Sequence, residues 1–87
     1  MQNPESTKTI KRFFEVIYDL KRRKAIKSKY EFKKKYGINN GNFWQLENDM
    51  SCGQFQLEWF SRLVTDYGVS AEWLLTGRGQ MYSEQNQ

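Results

Sequence analysis

Eighty-seven residues with 38% hydrophobic and 16% aromatic side chains suit one folded domain whose core is too small to enclose a deep catalytic pocket. No apolar run approaches the roughly 20 residues of a membrane span, the polar start MQNPESTKT is no secretory leader, and the single Cys52 permits no internal disulfide, which fits a reducing cytoplasm. The net charge of +4 is uneven: residues 1–36 carry twelve of the fourteen Lys and Arg against four acids, whereas residues 37–87 carry only Arg62 and Arg78 against six, a split that suits one part of the chain to a polyanion.

Apolar spacing predicts helices throughout. Ile10, Phe13, Phe14, Ile17 and Leu20 recur every three or four residues, and the cations of KRRK at 21–24 favour a helix C-terminus, so a first helix is expected over about Thr7 to Lys24. Ser28 and Glu31 form a capping box that opens a second helix, with Glu31 expected to reach back to the Ser28 amide. This helix runs to Tyr36 and closes at Gly37, which can take the left-handed conformation of a helix end. Asn39 is an N-cap for a third helix in which Phe43 and Leu46 share a face. After the polar stretch MSCGQ, the spacing of Phe60, Leu63, Val64 and Tyr67 marks a fourth helix closed by Gly68. Ser70 caps a short fifth helix, AEWLL, ended by Thr76 and Gly77, and the tail is expected to fray after Tyr82. No alternating strand pattern competes. The expected architecture is all-α and five-helical: residues 1–6 a flexible arm, 7–82 one domain, and 83–87 a disordered tail.

Phe32-Lys-Lys-Lys-Tyr36-Gly37-Ile38-Asn39, followed by Phe43, Leu46 and the pair Glu47-Asn48, resembles the phage-repressor-like (lambda-repressor-like) DNA-binding domain. In that family, apolar residues five before, just before and just after the turn glycine wedge two helices together, and two more lie six and nine beyond it. YGVSAEWLLTGRGQMY, residues 67–82, looks like the last two helices of the same domain, so the resemblance spans about residues 7–82. Lys33 departs from the pattern, standing where a small residue is usual. Its stem is expected to snorkel over the turn and lift the ammonium to solvent.

The resemblance implies a helix-turn-helix at helices two and three, double-stranded DNA as partner, and a transcriptional regulator, a repressor, of bacterial or prophage origin in the cytoplasm. It also gives the charge break a meaning. Lysine and arginine neutralise phosphates without reading sequence, whereas a helix in the major groove needs side chains matched to base edges, and Asn or Gln can pair two-fold with adenine. The expected base contacts are Asn40, Gly41, Asn42, Trp44 and Gln45, with Gly41 allowing close backbone approach. The expected phosphate contacts are Arg22, Arg23, Lys24, Lys27, Ser28, Lys29 and Asn48. One recognition helix reads only a few base pairs, so a weak homodimer, or dimerisation on a pseudo-palindromic site, is expected through apolar surface of the last two helices, with Trp59 a candidate contact and Trp73 in the core.

Catalysis is not expected. The chain has no histidine, no glycine-rich phosphate loop and no Cys/His cluster for zinc, and Glu47 and Asp49 sit two apart at a helix end and point different ways. No cofactor, metal, membrane or small-molecule substrate is expected. The rival reading is a protein–protein adaptor on the same fold with its lysines as solvent cover. An RNA binder is a further rival, less suited to a helix built for a duplex groove.

Overall fold

The computed structural model describes residues 4–50 and 56–83, and among these it contains five helices and no strand. They are α1 (Pro4–Arg22), α2 (Lys29–Tyr36), α3 (Asn40–Asn48), α4 (Leu57–Tyr67) and α5 (Ala71–Thr76). The chain divides into two compact units, Met1–Phe55 and Gln56–Gln87. No helix among the described residues is long and apolar enough to cross a membrane.

In the first unit α1 starts three residues earlier than its apolar rhythm suggests, so Pro4–Ser6 are helical and not an arm. Proline suits a first helical position because its φ is already set and the N–H it lacks would have no partner there. The expected stripe is buried, but Val16 is buried with it at 0% exposure, so α1 hides a face wider than one stripe. Phe13 lies at the centre of a ring cluster, with centroids 5.1 Å from Phe14 on its own helix, 6.4 Å from Phe32 of α2 and 6.2 Å from Phe43 of α3. Edge-on pairs of this kind add to the burial of the rings themselves. One residue therefore touches all three helices.

α1 ends before Lys24 rather than at it. The Ala25 N–H donates to the Leu20 carbonyl at 2.9 Å and the Lys24 N–H to the Lys21 carbonyl at 3.1 Å, while Lys24 itself has φ 66°. This is the glycine-type helix stop with a lysine in the left-handed position. The Ser28 hydroxyl oxygen then accepts from the Glu31 N–H at 3.1 Å, as expected. The Glu31 carboxylate accepts from the Lys27 N–H at 2.6 Å, one residue earlier than the Ser28 amide of a standard capping box. α2 stops at Gly37, φ 65°, with the Ile38 N–H on the Lys33 carbonyl at 2.9 Å. Phe32 and Ile38 are buried and Tyr36 half-buried, so the three apolar residues around the glycine are drawn inward.

The second unit follows the same local rules. α4 buries Trp59, Phe60 and Leu63, and Gly68 closes it at φ 71°. Ser70 caps α5 by accepting from the Trp73 N–H at 3.2 Å. The chain then returns: Val69 and Tyr82 form an isolated antiparallel bridge, the Ser70 N–H donates to the Met81 carbonyl at 2.9 Å, and the Ser83 N–H donates to the Gly68 carbonyl at 2.8 Å. Backbone pairing thus extends through Ser83, one residue past the expected fraying point. Trp59 is only 2% exposed, because it lies on the buried stripe one turn before Leu63, and it offers no surface for the dimer contact expected of it. Trp73 is half-buried rather than core. The large apolar side chains left exposed on these two helices are Leu57 and Leu75. Cys52 and the rest of the stretch over 51–55 lie outside the described residues, as does the tail over 84–87.

Candidate nucleic-acid interface

α3 is set by its first residue and its two buried ones. Asn39 accepts from the Asn42 N–H at 2.8 Å through its side-chain oxygen, which satisfies one donor at the helix start. Phe43 and Leu46, both at 0% exposure, fix which side of the helix faces inward. With 100° between successive residues, Asn40, Trp44 and Asn48 form one outward row, and Gly41 and Gln45 form the next. All five are exposed and none is charged. Asn42 is half-buried at the margin of this face and less accessible than the other expected base contacts. Trp44 is 64% exposed.

Gly41 is constrained by the cap beside it. A Cβ there would meet the Asn39 side-chain oxygen at 3.3 Å, so the bare glycine leaves the capping oxygen undisturbed and the outer backbone uncovered. Asn48 donates its side-chain amide to the Trp44 carbonyl at 2.8 Å, which folds it onto its own helix.

The cations divide into two sets. Arg22 and Arg23 both pair with Asp19, Arg23 at 3.6 Å, while remaining largely exposed. Lys29 donates to the Glu47 carboxylate at 2.8 Å, and its ammonium lies 5.7 Å from the Tyr18 ring. This expected phosphate contact is therefore already committed to α3. Among the described residues no carboxylate pairs with Lys21, Lys24 or Lys27. Ser28 uses its oxygen in the α2 cap, which leaves its hydroxyl hydrogen to donate.

Glu47 is the residue the sequence reading undervalued. Its carboxylate also accepts from the Tyr18 hydroxyl at 2.5 Å, so it ties α1, α2 and α3 at one point. Partial burial would raise the Glu47 carboxyl. Hydrogen bonds from Lys29 and Tyr18, with the charges of Lys29 and Lys33, outweigh that and hold it below the ordinary carboxylate range. Burial, then the hydrogen bond to Glu47 and its negative charge, push the Tyr18 hydroxyl up to about 12. Lys33 does not lift its ammonium clear of the protein as expected. It is half-buried with Nζ 5.1 Å from the centre of the buried Phe43 ring, where the ring's negative face attracts it and the charge also reaches Glu47. The sequence signals for this cluster were Lys33, which departs from the pattern of the resemblance, and Glu47 in the Glu47-Asn48 pair, neither of which named its partners.

No family model, no curated protein and no solved structure matches the chain.

Proposed function

We propose that this chain binds double-stranded DNA through a helix-turn-helix formed by α2 and α3, and acts as a transcriptional regulator of the repressor kind. The observation that carries this reading is the outward face of α3: Asn40, Gly41, Trp44, Gln45 and Asn48, exposed and uncharged, on a unit whose α1–α2 region is rich in cations. Amide groups at that face suit adenine edges, the exposed Trp44 suits thymine methyls or sugars, and the α1–α2 cations suit phosphates. Asn40 and Gln45 are the principal base readers, because neither side chain is buried and neither supplies the helix cap. Two copies on a pseudo-palindromic site would supply the specificity that one helix cannot.

A protein–protein adaptor is the second reading. It is favoured by the commitment of Lys29 and Lys33 to internal partners and by the exposure of Trp44. Binding to random duplex DNA as a function of salt separates the two. The DNA reading requires attraction that weakens steeply with salt, and the adaptor requires none near physiological ionic strength. Selection of a preferred site from a random duplex pool then identifies what α3 reads. Failure to enrich any site, with no salt-dependent binding, would remove the DNA reading.

A further inference from the structure

We infer that the groove at the α1–α2 corner seats a single backbone phosphodiester of nucleic acid, held jointly by Lys21, Lys24 and Lys27. This rests on the DNA-binding reading above and assigns one discrete anion site within it. The groove has a volume of about 480 Å³ and is lined by those three lysines and Ile26. Three lysines line this one depression, and no carboxylate among the described residues forms an ion pair with any of them. The nearby Asp19 is occupied by Arg22 and Arg23, and the Glu31 carboxylate accepts from the Lys27 backbone N–H.

Helix-dipole complementarity accounts for Lys21, which lies in the last turn of α1, but not for Lys24 and Lys27, which lie beyond it. The carbonyls at that helix end do not repel an anion as bare acceptors would. Leu20 accepts from Ala25 and Ile26, Lys21 from Lys24, and Asp19 from Arg23. Lys24 adds an independent observation. At φ 66° it holds a conformation that costs glycine little and a lysine more, at the one position where glycine would end the helix without strain. Strain kept at a residue whose side chain lines a cationic groove fits a side chain retained for what it binds. A lipid headgroup fits less well, since Ile26 is 3% exposed and no exposed apolar side chain lines the groove to enter a bilayer.

The test compares wild type, Lys24→Gly and the triple variant Lys21→Gln/Lys24→Gln/Lys27→Gln. It measures melting, and binding to random duplex DNA over a salt series. Lys24→Gly should melt about 4 °C higher as the strain is relieved, while the magnitude of its log-affinity against log-salt slope falls by clearly less than one unit, because Lys21 and Lys27 still neutralise the shared phosphate. The triple variant should lose about one unit, because the three lysines share one phosphate. A loss of about three units would mean three separate contacts and would overturn the shared site. An unchanged slope in both variants, with wild type still binding, would overturn the groove and leave the DNA reading standing. Absence of wild-type binding would remove both. Binding to vesicles containing phosphatidylserine that exceeds duplex binding, and that Lys24→Gly abolishes, would overturn the phosphodiester in favour of a lipid phosphate.

Discussion

The α1–α2 corner and the outward face of α3 belong to the same unit, yet they are built on opposite principles. The corner concentrates charge that the protein leaves partly uncompensated, with Lys21, Lys24 and Lys27 around an open groove and one of them in a strained backbone conformation. The α3 face carries no charge at all, and its neighbouring charges are tied down: Glu47 between Lys29 and Tyr18, and Lys33 over the Phe43 ring. Long-range attraction needs net charge but tolerates imprecise placement, because Coulomb forces fall off slowly. Readout by hydrogen bonds needs neutral groups held in one orientation. On the proposed DNA-binding reading, the corner supplies attraction and the face supplies discrimination.

The largest expected effect removes the support common to both regions. Phe13→Ala deletes the ring that contacts Phe14, Phe32 and Phe43, and should cost about 3–5 kcal/mol of stability by chemical denaturation. Loss of under about 1 kcal/mol would mean that the two regions do not depend on this core.

The next effect should appear at one region and not the other. Asn40→Ala and Gln45→Ala are each expected to cost about 1–3 kcal/mol on a selected duplex and little on a random one, with melting unchanged. Equal losses on both duplexes would show that α3 only positions the protein and that sequence is read through DNA shape.

Glu47→Gln should be milder, at about 1 kcal/mol, because the Lys29 side chain is 37% exposed and solvent screens the pair. The pH dependence has a definite sign. A carboxyl held below its ordinary value stabilises the fold fully above about pH 4.5, and that contribution is lost as pH falls through the lower folded value. The gap in melting temperature between wild type and Glu47→Gln should therefore be widest near neutrality and close in acid. A gap that persists unchanged to pH 2 would mean the mutation acts through packing instead of charge.

The smallest effect is spectroscopic. Tyr18, raised from 10.0 to about 12, contributes stability that is complete below pH 10 and lost between pH 10 and 12. Ultraviolet titration of wild type against Tyr18→Phe should show one late-titrating tyrosine missing from the variant. Glu47→Gln should bring that titration to lower pH. Its failure to do so would separate Tyr18 from Glu47.

Helix number, most boundaries and nearly every cap were legible in the sequence, because each depends on residues within about four positions of one another. Ser28 with Glu31, Asn39 with Asn42, Ser70 with Trp73, and the left-handed Gly37, Gly68 and Gly77 are all such local pairings or single-residue conformations. The outward placement of Asn40, Gly41, Trp44 and Gln45 on α3 was also readable, since Phe43 and Leu46 orient a helix of nine residues, whereas Asn42, expected beside them, is half-buried. Tertiary structure decided the rest. It buried Trp59 and Val16, brought the Lys33 ammonium over Phe43, and joined Glu47 to Tyr18 across 29 residues and to Lys29 across 18. It also stopped α1 on a left-handed Lys24 where no glycine marked the stop. The physical reason is range: caps and turn glycines act through the backbone nearby, whereas burial, ion pairing and ring contacts depend on which distant segments pack together, and apolar periodicity records only that a face is buried, not what meets it.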